Sequence, residues 1–76
     1  MLDHIKGEFL GMFINGWRNR TVHIYRHKTD ETKVLTIGFP NDGGKPIECV
    51  EDYAEYVATI EKIKQAKEAG ETYVYE

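Results

Sequence analysis

The stretch Glu8-Phe9-Leu10-Gly11-Met12-Phe13-Ile14, followed by Asn15-Gly16, decides the reading of this chain. Residues Phe9 to Ile14 carry no charge and no strongly polar group. Side chains alternate between the two faces of a strand, so a strand here is apolar on both sides. Asn15-Gly16 tolerates the positive φ angles of a tight hairpin, which turns the strand back on whatever follows. Trp17-Arg18-Asn19-Arg20 widens that turn or opens the next strand. From Thr21 to Lys28, Val22, Ile24 and Arg26 alternate with Thr21, His23, Tyr25 and His27, a period of two that predicts a second strand. Thr29-Asp30-Glu31-Thr32 is a polar turn and Lys33 to Phe39 a third strand. Pro40 to Pro46 reads as a loop by composition.

A helix is predicted from about Val50 to Ala69, with Gly70 as its stop. Tyr53, Val57, Ile60, Ile63 and Ala66 (or the stem of Lys67) recur at three- and four-residue steps and form one apolar stripe. Cys49 falls at the expected N-cap. Acidic residues at the start and Lys62, Lys64 and Lys67 toward the end suit the helix dipole. Glu71 to Glu76 reads as a closing strand. The order β-β-β-α-β predicts an α+β fold of two layers: an antiparallel sheet of three to four strands with one long helix on one face. At 76 residues and 8.8 kDa, the chain (1–76) is expected to form a single small domain.

Register assigns the faces. An even-numbered first loop and a four-residue second loop place Phe9, Phe13, Val22, Ile24, Leu35, Ile37 and Phe39 beneath the helix. The opposite face then holds Leu10, Met12, Ile14, His23, Tyr25, His27, Val34 and Thr36, with Trp17 at its rim. One helix covers one face, so unless the last strand or the 39–47 loop folds over it, or the register is slipped by one, the second face is left for a partner. Burying about 400 Å² of apolar surface there is worth roughly 10 kcal/mol before the costs of association.

Charge and motifs narrow the function. The chain carries a net −3, and its opening residues Met1 to Lys6 lack the apolar core of a secretory signal. No apolar run is long enough to span a membrane, and the lone Cys49 forms no internal disulfide, which together point to a cytoplasmic protein. His23 and His27 lie about 13 Å apart along a strand, too far to grip one zinc, so no metal and no cofactor is expected. Cys49 has no identifiable base or oxyanion donor, so no catalytic residue and no enzyme activity is assigned. Gly43-Gly44-Lys45-Pro46 misses the spacing of a phosphate loop.

Residues 15–28 hold Arg18, Arg20, Arg26 and Lys28 and no acid, beside Trp17 and Tyr25. Glu48, Glu51, Asp52 and Glu55 form an acidic patch with no base among them. The expectation is a non-catalytic protein–protein interaction module, a small stoichiometric inhibitor or regulator of the kind carried by phages and mobile elements, which also self-associates as a homodimer. Its expected binding face is Leu10, Met12, Trp17, Arg18, Arg20, His23, Tyr25 and His27, with Arg18 and Arg20 or the acidic patch setting orientation. The alternative is a single-stranded nucleic-acid-binding accessory protein using residues 17–28, against which the sequence pI of about 5.6 weighs.

Overall fold

The structure, a computed structural model, describes residues 3–75. After a 3-10 turn at Asp3–Ile5 come β1 (Lys6–Asn15), β2 (Arg20–His27), β3 (Lys33–Pro40), β4 (Ile47–Asp52), α1 (Tyr53–Glu68) and β5 (Val74–Tyr75). The fold is α+β, with one helix on a curled, half-barrel sheet of order β4-β3-β2-β1-β5. β1 to β4 form an antiparallel meander, while β5 runs parallel to β1, so the sheet is mixed and has five strands. Of the closing strand expected over 71–76, Val74 and Tyr75 are paired, and Glu76 lies outside the described residues, as do Met1 and Leu2.

The strand missed in the sequence is β4. Residues 47–50 follow the Gly43-Gly44 turn as a hairpin arm, where Leu35 pairs with Val50 and Thr36 with Cys49. Cys49 is therefore a strand residue, and the helix begins three positions later than expected. Asp52 occupies the N-cap with extended dihedrals, but its carboxylate is ion-paired with Lys33 and makes no cap hydrogen bond. The C-terminus ends as expected. Gly70 at φ 74° donates to Lys67 O and Glu71 N–H donates to Ala66 O, the paired closure that a left-handed glycine permits. The buried stripe is Ile60 and Ile63 with Tyr53 and Tyr56 packed beside them; Val57, assigned to it above, is 49 % exposed.

Two local irregularities redistribute the sheet faces. At the β2–β3 turn, His27 Nδ1 accepts from Thr29 N–H (3.1 Å) and Asp30 N–H (2.9 Å). Asp30 Oδ1 in turn accepts from Thr32 N–H (2.9 Å) and Thr32 Oγ1 (2.6 Å). This network draws Lys28 into the turn, making it one residue longer than expected, and one residue of slip moves all of β3 to the other face. Ile24 thus pairs with Thr36 and Tyr25 with Leu35. In β1, a bulge between Phe9 and Gly11 inserts one residue, so that Phe9 pairs with Tyr25 and Gly11 with Ile24.

The helix-side core is consequently Phe13, Val22, Ile24, Val34, Ile60 and Ile63, with Leu10 packed against it. Phe9, Leu35, Ile37 and Phe39, expected beneath the helix, stand on the opposite face. Leu10, Val34 and Thr36 have crossed the other way. The His27 acceptor role is testable: His27→Ala is expected to lower stability by about 1–2 kcal/mol and to speed amide exchange at Thr29 and Asp30 selectively. The Thr32 hydrogen bonds hold the Asp30 carboxyl below its ordinary range. A depressed folded-state pKa contributes stability above the unfolded value and loses it as pH falls through the folded one. The urea midpoint difference between wild type and Asp30→Ala should accordingly shrink on acidification.

Candidate interaction face

With the register known, the face away from the helix can be read row by row. One row crosses four strands without a polar side chain other than a phenol: Phe9, Tyr25, Leu35 and Val50. The next is Met12, His23, Ile37 and Glu48, and beyond it lie Ile14, Thr21 and Phe39. At the opposite end, Lys6 pairs with His27 on β2 and Lys33 pairs with Asp52 on β4. The face is thus charged at the Lys6–Asp52 end and at Glu48 on one flank, and largely apolar from there to the Ile14–Phe39 end.

The aromatic groups are in contact with one another. Phe39 meets His23 edge-on at 5.0 Å, His23 meets Phe9 at 5.7 Å, and Phe9 meets Tyr25 at 5.2 Å. Lys6 Nζ lies 5.0 Å from the Tyr25 ring centroid. Leu35 and Ile37 are buried between these side chains, while Phe9 is 50 %, Phe39 39 % and Val50 45 % exposed. The closing strand does not cover this face, because β5 joins the sheet edge beside β1.

The residues expected to form one binding face separate into three places. Met12, His23, Tyr25 and His27 share the open face, His27 at its end as the turn acceptor. Leu10 packs against the helix-side core, and with Met12 and Phe9 it lines a groove of about 410 Å³ that wraps the edge of β1 left unpaired by β5, closed by Ile63 and Tyr73. Trp17 is 79 % exposed in the β1–β2 turn, and Arg18 and Arg20 line a cavity of about 300 Å³ on the helix side with Glu51, Cys49 and Tyr56. Burial, then the nearby Glu51, pushes the Tyr56 phenol above its ordinary range. The acidic patch divides as well. Alternation along β4 sends Glu48 and Asp52 to the open face and Glu51 to the helix side, while Glu55 stands in the first turn of α1.

Phe9, Leu35, Ile37, Phe39 and Val50 are the face residues that sequence reasoning missed. Phe9 depended on a bulge and the β3 residues on a one-residue turn extension. Val50 carried a usable signal, since Ile47-Glu48-Cys49-Val50 after a Gly-Gly turn suits a hairpin arm as well as a helix start. The Asp52 carboxylate holds the Lys33 ammonium above its ordinary range, mainly through their hydrogen bond.

Cys49 and His23 project to opposite sides of the sheet, so they do not form a common site. Among the described residues, no three His, Cys, Asp or Glu side chains gather around a common point suited to a metal ion. No described helix is long and apolar enough to cross a membrane. No protein-family model, curated protein or solved structure matches this chain.

Proposed function

We propose that this chain is a non-catalytic protein-interaction module, a small cytoplasmic inhibitor or regulator that docks through the open face of β1–β4. The observation that supports it most is the exposed apolar set Phe9, Phe39 and Val50, standing with Tyr25 and Met12 around the buried Leu35 and Ile37, with charge at one end of the face. Patches of this extent on a small soluble chain are often functional. The exposed rings serve as anchors that gain area at low entropic cost, and the charges steer and orient. Arg18, Arg20 and Trp17 stand off this face and are not part of the docking surface in this reading.

A second reading has one observation in its favour. Four rings in contact on an exposed sheet face could also stack bases, with Lys6 beside them. Glu48 and Asp52 on the same face and a net charge of −3 oppose it.

Photo-crosslinking separates these readings. Phe39 and Val57 have similar exposure, 39 % and 49 %, but lie on opposite layers. A benzophenone amino acid in place of Phe39 should capture protein, and the same group in place of Val57 should not. Adducts from Val57 alone would sink the docking reading. Adducts containing nucleic acid, lost between about 50 and 200 mM salt, would favour the second.

A further inference from the structure

We infer that the occupant of the open face is a second copy of this chain, seated face to face about a two-fold axis parallel to the strands. The inference rests on the docking reading above and names its partner. Charge is the first support. The register places two cations, Lys6 and Lys33, and two carboxylates, Glu48 and Asp52, on this face. The four sum to zero although the whole chain carries −3. Two such faces meet without net repulsion.

The placement of those charges selects the axis. Lys6 on β1 and Asp52 on β4 stand on opposite flanks of the sheet at the same end of the strands. A two-fold axis along the strands, passing between β2 and β3, reverses the strand order and preserves the rows. Lys6 then stands over Asp52 of the second copy, and the contact repeats on the other flank. In the apolar row, the exposed rings and methyls of Phe9 and Val50 meet, and the two Tyr25 side chains close over the buried Leu35 residues between them. In the next row, Glu48 comes to lie over Met12 at the flank of the sheet and His23 over Ile37. An axis across the strands instead lays the Lys33–Asp52 pair over the end of the sheet that holds Phe39, which covers a charge pair with rings and offers it no new partner.

Size is the third support. Four strands at about 4.8 Å spacing and eight residues at about 3.3 Å rise give a projected footprint of roughly 500 Å². The accessible surface of a side-chain-covered face exceeds its projection, which brings each copy toward the ~800 Å² of an ordinary specific interface. A reversible dimer in the micromolar range follows from an interface at the small end of that class.

Light scattering on the purified full chain from about 10 µM to 1 mM should show the mass rising from 8.8 kDa toward twice that value. Lys6→Glu should weaken the dimer about tenfold, since it turns two attractive contacts into repulsive ones. Lys6→Met, which removes the attraction without adding a repulsion, should weaken it less than Lys6→Glu does. A mass that doubles regardless of Lys6→Glu overturns the proposed arrangement. A mass that stays monomeric across the range overturns the second copy altogether. In that case, paramagnetic solvent relaxation of the Met12 and Val50 methyls decides whether the face itself is open. Accessible methyls leave the face open for a different protein, and protected methyls end the docking reading too.

Discussion

Ile24→Ala is expected to cost about 3–4 kcal/mol and to lower the thermal midpoint by roughly 12–32 °C. Ile24 has no exposed surface and sits in the middle strand of the sheet, within the cluster of Phe13, Val22, Val34, Ile60 and Ile63. Truncating it removes the transfer energy of three carbons and leaves a cavity walled by both layers, which neither layer can close alone. A chain of this length has roughly 4–11 kcal/mol of stability in total, so the variant should be partly unfolded at physiological temperature. Urea denaturation at 25 °C checks it. Ile37→Ala is the matched control: Ile37 is 9 % exposed on the open face, outside the helix-side cluster, and should cost less. A larger loss at Ile37 than at Ile24 would mean that the two sheet faces are assigned the wrong way round.

Gly11→Ala should be nearly as damaging, by about 2–4 kcal/mol, although it adds a single methyl group. Gly11 lies at the β1 bulge with φ 148°, where L side chains are strained, and a Cβ there would come within 2.7 Å of Ile63 Cγ2. Backbone strain and steric overlap therefore add. Ile63→Ala removes the overlap but not the strain, so the pair should be non-additive by at least ~1 kcal/mol in a double-mutant cycle. Simple additivity would show that the helix does not approach β1 this closely. The point bears on function, because the same bulge turns Phe9 outward to meet Tyr25 and His23.

The failed assignments share a physical origin. The first hairpin is legible because Asn15-Gly16 marks its turn and the loop length there is even, so Phe13, Val22 and Ile24 were placed correctly. The second hairpin is not, because its register depends on whether Lys28 belongs to strand or turn. That choice is made by an imidazole accepting two amides, a contact invisible to hydropathy. Alternation along β3 sets Leu35, Ile37 and Phe39 against Val34, Thr36 and Gly38, but it does not say which of the two sides meets the helix. The expectation that one helix leaves an apolar face survives this exchange because β1 is apolar on both sides and the slip turns Leu35, Ile37 and Phe39 of β3 outward. The list of face residues does not, and Leu10, Arg18 and Arg20 leave it while Phe9, Leu35, Ile37, Phe39 and Val50 enter.

Composition and periodicity alone determined that this chain makes strands, one helix closed by Gly70, and more apolar surface than one helix can cover, because those properties reside in single residues and their near neighbours. Which side chains share a face, that residues 47–52 pair as a strand, and that β5 runs parallel beside β1 were decided by the tertiary structure. Each of those depends on a turn one residue longer, a bulge, or a pairing between distant segments, whose energies come from contacts that exist once the sheet has formed.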